Sequence, residues 1–236
     1  MTVLTRLIPG AAESRDSEDP GLRDWLREVY ALESPGTVRL NFVASLNGSA
    51  VGEDGTSESL SSRLDRTILG VVRRGADVVV VGARTVRREG YISPRHSRLA
   101  VVTRSGHLGG HRLAESDVPP LILGPPSALA RAAEELAGLA YEPIPLQSDA
   151  LDPVEVLAGL RAAGLSSVVC EGGPTLAAAF LDAGLVDELC LTTAPKLRAP
   201  GLPLFPRLAE THSARLASLL ADEDGYLYAR WSLASV

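Results

Sequence analysis

The stretch Asp77-Val78-Val79-Val80-Val81-Gly82 constrains this chain more than any other: four consecutive β-branched residues stand between a carboxylate and a glycine. β-branched side chains are stiff and favour extended backbone, and a run without polar alternation has no face to offer water. It predicts a strand buried on both faces, as parallel strands are when helices cover the sheet above and below. Strand-like runs recur at Leu99 to Thr103, Leu121 to Gly124 and Ser167 to Cys170. Helix-like stretches lie between them at Ser127 to Ala137 and Pro153 to Ala163, and another follows at Pro174 to Ala183. That alternation is the signature of right-handed βαβ crossovers, so the expected class is α/β with a mainly parallel central sheet flanked by helices.

The two ends differ from this middle. The first 20 residues are polar and punctuated by Pro9, Gly10 and Pro20, which predicts an arm or edge segment. A short helix is expected from Leu22 to Leu32, ended by Ser34-Pro35-Gly36, and a strand begins at Thr37 as VRLNFVAS. From Ser57 to Arg74, Leu60, Leu64, Ile68 and Val71/Val72 fall at helical spacing, and Gly75 closes the helix. Val186 to Ala194 reads as a strand; Ala214 to Leu220 and Tyr226 to Leu233, joined by a turn at Asp222 to Gly225, read as an antiparallel C-terminal hairpin. The economical division is an N-terminal arm, residues 1–35, and one domain, residues 36–236.

Composition removes several functions. The formal charge is −6 and the basic residues are scattered, Lys196 being the one lysine, so no basic stripe offers itself to a nucleic acid. Cys170 and Cys190 lie inside apolar runs, outside any C-x-x-C spacing and without an accompanying H-x-E, which excludes a zinc deaminase and predicts buried reduced thiols. His96, His107, His111 and His212 have no metal-ligand spacing. The N-terminus lacks the charged and apolar regions of a signal peptide, and no apolar run is long enough to span a bilayer. A cytoplasmic protein with no metal and no membrane partner is expected.

The chemistry concentrates where strands end. Val168-Val169-Cys170-Glu171-Gly172-Gly173-Pro174-Thr175-Leu176 runs from a buried strand through a glycine pair into a helix opened by proline. A helix start of this kind attracts an anion such as a dinucleotide pyrophosphate, although a plain glycine turn reads equally well. Glu171 stands at the carboxyl end of its strand, where open α/β sheets bind ligands. Gly82, ending DVVVVG, leads to Thr85 and Glu89 in a second such junction, for which the alternative is an N-capped surface helix. Thr103-Arg104-Ser105 forms a third, two hydroxyls around a guanidinium, suited to the 2′-phosphate that separates NADP from NAD.

Together the segments NFVASLNG, ADVVVVGARTVRREGY, VVTRSG, VVCEGGPTLAAAFLDAGLVDELCLTTAPKL and GYLYARW resemble the pyrimidine reductase family of riboflavin biosynthesis. The resemblance runs from about Val38 to the C-terminus, and the variants EGY and GYLY look most like the stand-alone actinobacterial members. It implies a dihydrofolate reductase-like fold, a homodimer, NADPH as cofactor, and a small-molecule pyrimidine, 5-amino-6-(5-phosphoribosylamino)uracil, reduced at the ribose C1′. The deaminase activity would then come from a separate protein. It further implies that Val43, Ala44, Ser59, Gly82, Thr85, Glu89, Thr103, Arg104, Ser105, Gly172, Gly173, Pro174, Thr175 and Leu176 sit at the cofactor. Glu171, Arg73 and Ser57 would sit at the substrate, Glu171 as the catalytic carboxylate that orients it and relays a proton, with water as the alternative donor.

The chain departs from the family pattern at Asn47, where most members carry Asp, at Asn41, often Lys, and at Glu89, otherwise Asp. The D-P-x-L-x-x-R stretch is absent, leaving Arg95 and Arg98 as replacements for its arginine. These changes bear on the heterocycle, so a dihydrofolate or pteridine reductase stands as an alternative, as does a non-catalytic NADP-binding protein.

The third junction generates a test. Wild type should bind NADPH far more tightly than NADH, and Arg104→Ala should lose one to two decades of NADPH affinity, about 1.5–3 kcal/mol for a charge-assisted phosphate contact. Titration of both cofactors measures it; equal wild-type affinities would end the NADP assignment.

Overall fold

In the computed structural model, which describes residues 2–113 and 118–233, the valines of the apolar run are wholly buried and form β4 (Val78–Gly82). Its neighbours are β8 (Val168–Cys170) and β5 (Arg98–Val102), both parallel to it. β8 pairs with β3 (Val38–Ser45), and β3 pairs with β9 (Glu188–Ala194), again in parallel. Beyond β5 come β6 (Leu121–Gly124) and β7 (Glu142–Pro145). Beyond β9 the sheet turns antiparallel through β11 (Leu227–Leu233), β10 (Ala214–Asp222), β1 (Val3–Ile8) and β2 (Glu13–Asp16). The eleven strands run in the order β2-β1-β10-β11-β9-β3-β8-β4-β5-β6-β7. The class is the expected one, α/β with a mainly parallel centre and an antiparallel C-terminal hairpin.

Both faces are covered, which is why β4 tolerates no polar residue. Val78 and Val80 pack under α5 (Pro153–Ala162) and α6 (Pro174–Asp182), together with Val156, Leu160, Ala177 and Phe180. Val79 and Val81 face the other way, toward α3 (Ala83–Glu89) and α4 (Pro126–Glu135). On that same side, beneath β3, β8 and β9, lie α1 (Leu22–Val29) and α2 (Arg63–Arg74), which bury Trp25, Leu26, Leu64, Ile68 and Val72. Among the described residues no helix is long and apolar enough to cross a membrane. Cys170 and Cys190 are buried and unpaired, and burial pushes their thiols up to about 12 and about 11.

Several boundaries differ from the sequence reading, each for a local reason. α2 begins at Arg63 rather than Ser57, because the Ser62 hydroxyl caps it by accepting from the Asp65 amide at 3.0 Å. The C-terminal hairpin does not end the sheet: β10 is paired with β1, so the opening segment, read as an arm or edge, supplies the last two strands on that side and buries Leu4 completely. β7 escaped notice because Pro143 and Pro145 mask it, and an outermost strand is where proline is tolerated. The proposed division at residue 35 has ends, residue 1 and residues 234–236, that lie outside the described residues.

At the amino ends of the parallel strands, Arg39 is buried without any exposed surface. Its Nε donates to Glu188 Oε2 at 2.7 Å and its Nη1 to the Tyr30 carbonyl at 2.9 Å, which ties β3 to β9 and to the end of α1. Arg230 Nη1 on β11 adds a second cation, 3.6 Å from Glu188 Oε1. Truncating one partner leaves the other charge buried. Glu188→Ala should therefore lower unfolding free energy by about 3–5 kcal/mol in urea titrations. A loss under about 1 kcal/mol, the range of an exposed pair, would show that water reaches Arg39.

Candidate active site

Because β3, β8, β4 and β5 are parallel, their carboxyl ends emerge on one edge, and a cavity of 1220 Å³ opens there. That exceeds the size of an ordinary small-ligand pocket, roughly 300–1,000 Å³, and suits two ligands side by side. Asn41, Phe42 and Val43 of β3 form its floor, Gly82 to Glu89 and Val102 to Ser105 one wall, and Gly173 to Leu176 of α6 the end of that wall. The opposite wall is one stripe of α2, residues 65, 66, 69, 70 and 73.

The glycine pair sets the shape of the centre. Glu171 N donates to the Val80 carbonyl at 3.0 Å, and Gly82 N donates to the Gly172 carbonyl at 2.6 Å, so the chain leaving β8 stays sewn to β4. Gly172 has φ +84°, and a Cβ there would lie 2.8 Å from the Phe42 ring. Only glycine meets both conditions. The peptide between Gly172 and Gly173 is cis. A Cβ on Gly173 would stand 3.1 Å from Thr85 Oγ1, so the start of α6 and the start of α3 face each other across a narrow gap lined by backbone and a hydroxyl.

Glu171 is the most engaged carboxylate of the cavity. Arg73 Nε donates to its Oε1 and Arg73 Nη2 to its Oε2, both at 2.7 Å, a bidentate pair with Glu171 nearly buried. The Tyr91 hydroxyl donates to Glu171 Oε2 and accepts from Arg73 Nη2 at 2.5 Å. The guanidinium carbon of Arg73 also lies 5.0 Å from the centre of the Tyr91 ring. Burial, reinforced by the Glu171 charge, pushes the Tyr91 phenol well above its ordinary range. Burial acts against the charge on Arg73, but Glu171 and Tyr91 outweigh it and hold the proton on. The site therefore keeps a fixed anion–cation pair rather than a free carboxylate.

The remaining sequence candidates separate into those that line the cavity and those that shape it. Val43, Gly82, Thr85, Arg104, Ser105, Gly173, Pro174, Thr175 and Leu176 are on its surface. Thr103 is also at the surface, but its hydroxyl accepts from the Gly106 amide at 3.0 Å and holds the turn. Glu89 accepts from the Ser57 hydroxyl at 2.8 Å and from its amide at 3.2 Å, fastening the loop before α2 to α3. Ser59 Oγ donates to Asp54 at 2.7 Å within that loop, and Lys196 Nζ donates to the Ser59 carbonyl at 2.5 Å. Ala44 is not among the residues lining the cavity; its side chain is buried with Ala50 and Leu204. Arg98 lies 2.9 Å from Glu142 at the edge strand β7, so it does not supply the missing arginine; Arg73 and Arg66 are the guanidiniums of the α2 wall. No group of three or more His, Cys, Asp or Glu that could hold a metal occurs among the described residues.

Sequence reasoning missed Tyr91 and, apart from Arg73, the α2 stripe. The signal was the three charged residues Asp65, Arg66 and Arg73, offset from the apolar stripe at 64, 68, 71 and 72; Leu69 and Gly70, which share the cavity wall, carry no such mark.

The model of the RibD C-terminal domain matches residues 36–227. The chloroplastic riboflavin biosynthesis protein PYRR of Arabidopsis thaliana is 28% identical over 166 residues, 67% of this chain and 27% of that protein. The riboflavin biosynthesis protein RibD of Mycobacterium tuberculosis is 28% identical over 186 residues, 75% of this chain and 46% of that one. This chain thus spans less than half of either relative. Among solved structures, a pyrimidine reductase-like protein from Corynebacterium diphtheriae superposes with a TM-score of 0.73 at 23% identity, covering 89% of this chain and 98% of that one. The riboflavin biosynthesis reductase of Saccharomyces cerevisiae gives 0.67 at 16% identity, covering 91% and 100%. At these identities the two structures speak for the fold.

The hydroxyl of Tyr91 is a buried donor to a charged acceptor. Tyr91→Phe should lower unfolding free energy by about 1.5–3 kcal/mol, the range for hydrogen bonds to charged groups. Urea titration of both proteins measures it; a change within about 0.5 kcal/mol would mean that Glu171 needs no donor beyond Arg73.

Proposed function

The chain belongs to the RibD C-terminal domain family, and we propose that it is an NADPH-dependent reductase of riboflavin biosynthesis acting on a phosphoribosylamino-pyrimidine. The observation that carries this reading is the gap between the starts of α3 and α6, which opens on a cavity roomy enough for a dinucleotide and a substrate together. A dinucleotide fits the residues present. Backbone amides at the start of α6, with Thr175, are disposed for the pyrophosphate, and Thr85 faces them. Arg104 and Ser105, at the end of β5, are disposed for a 2′-phosphate. NADPH, when bound, supplies a hydride.

The protein's own residues then have three tasks. Phe42 and Val43 give the compartment an apolar floor that excludes water. The loop held by Glu89 and Ser57 lines the cavity with Gly55, Ser57 and Glu58. Arg73, fixed by Glu171 and Tyr91, keeps a positive charge inside the substrate compartment, and Glu171 holds that charge in place. Glu171 then acts by orienting Arg73 and the polar groups of the substrate. A homodimer, a cytoplasmic setting, a deaminase on a separate protein, and residues 36–236 as the catalytic unit belong to the same proposal.

The test is reduction of the phosphoribosylamino-uracil, with dihydrofolate alongside. NADPH oxidation with the ribosylamine and not with dihydrofolate is expected; the reverse would replace the substrate class. Glu171→Gln should lower kcat/KM by about 10²-fold or more, while NADPH affinity is kept, because the neutral amide no longer fixes Arg73. Near-normal turnover would make Glu171 a structural carboxylate only.

A further inference from the structure

Helix α2 carries two stripes. Leu64, Ile68, Val71 and Val72 are buried beneath it, whereas Asp65, Leu69 and Arg73, at i, i+4 and i+8, line the cavity. At about 1.5 Å of rise per residue, eight residues place Asp65 roughly 12 Å along the helix from Arg73. The compartment thus has a carboxyl at one end and the Arg73–Glu171–Tyr91 cluster at the other.

Glu171 has both oxygens engaged. Both of its oxygens accept from Arg73 and one accepts also from Tyr91, so its charge is matched. Asp65 has a different environment. Its carboxyl accepts from a neutral hydroxyl, Ser61 Oγ, at 2.6 Å, and the Thr192 hydroxyl is close enough to favour its charged form. Arg66, the adjacent cation, is paired with Glu58. The other titratable groups that face Asp65 are Glu171 at the end of β8 and the phenols of Tyr30, Tyr226 and Tyr228. Burial, with the Glu171 charge added, raises Asp65 above the ordinary carboxyl range, against the hydroxyls and Arg66. A carboxyl that holds its proton more firmly than an ordinary one while lining a substrate compartment is suited to act as a general acid.

We infer that Asp65 is the proton donor of the reduction, a role that rests on the ribosylamine reading above and deepens it. The ring oxygen O4′ takes the Asp65 proton as the C1′–O4′ bond breaks, and the nitrogen lone pair forms a C1′=N bond. C1′ then accepts the hydride of the reduced dinucleotide, and the electron pair of that double bond returns to nitrogen. Water reprotonates the Asp65 carboxylate, so one hydride and one proton are consumed and the sugar leaves as an open-chain amine.

Asp65→Asn and Asp65→Glu test this through kcat and KM for the phosphoribosylamine against pH, NADPH affinity, and ¹³C-carboxyl NMR of aspartate-labelled protein. Wild-type kcat should fall as pH rises through the raised Asp65 pKa, because the donor is then spent. Asp65→Asn should lose about 10²–10⁴-fold in kcat, flatten that alkaline limb and leave NADPH affinity within about twofold. Asp65→Glu should restore the limb and, if Asn disturbs folding, carries the test alone. The resonance missing from Asp65→Asn should titrate above the ordinary carboxyl range in the wild type, a result independent of turnover. Near-normal kcat with an unchanged limb, or an ordinary titration, overturns the donor and leaves the reductase standing. A wild type that binds NADPH but does not reduce the ribosylamine overturns the substrate reading and the donor with it.

Discussion

Everything in the cavity depends on how closely residues 171–173 pass between the ends of β3 and β4. β8 is three residues long, and the chain that leaves it is stitched to β4 from both sides, Glu171 N to Val80 and Gly82 N to Gly172. The ring of Phe42 fills the space where a Cβ of residue 172 would go. These contacts fix three things at once: the direction of the Glu171 carboxylate, the position at which α6 begins, and the separation between that helix start and Thr85. A looser connection would let the helix start drift, and an anion site made of backbone amides holds its ligand only while those amides stay convergent.

Charge in the site follows from the same frame. Glu171 is delivered to the cavity by β8, and Arg73 is delivered by the last turn of α2, so the pair joins a strand end to a helix end across the sheet edge. Tyr91, just past α3, completes it from a third element. A carboxylate matched in this way serves as a fixed point of geometry. Chemistry that moves a proton falls to a group whose charge is less well compensated, and on the α2 wall that group is Asp65.

The fold was largely readable because burial writes itself into composition. Val78 to Val81 announce a strand covered on both faces, and Pro174 after Gly173 announces where a helix starts. Gly173, Thr85, Arg104 and Ser105, which line the cavity, were readable as candidates because each follows closely on the end of a strand. What escaped was of two kinds. The opening segment was readable as an arm or edge, but β1 pairs with β10, more than 200 residues away, and nothing local in Val3 to Ile8 records that partnership. The Arg73–Glu171–Tyr91 cluster unites residues from three distant segments, so sequence supplied the residues but not the pairing, and Arg73 read as a holder of substrate rather than of Glu171.

The two edges of the parallel sheet divide the work. At the amino edge Asp77, Asp187 and Glu188 are each closed off by a partner from the protein itself. Asp77 accepts from the Ser166 and Ser167 amides at 3.0 and 2.8 Å, Asp187 from the Val38 amide at 2.8 Å, and Glu188 from the buried Arg39. The amides hold the Asp77 carboxyl below its ordinary range, so its contribution to stability is present at neutral pH and is lost as pH falls through that lowered value. At the carboxyl edge the carboxylates bridge elements that meet only around the cavity: Glu171 joins β8 to α2, and Glu89 joins α3 to the loop carrying Ser57. Strand polarity is the reason. In a parallel sheet all carbonyl ends and all following helix starts lie on one edge, so polar groups there find ligands, whereas those on the other edge must be satisfied by the protein itself.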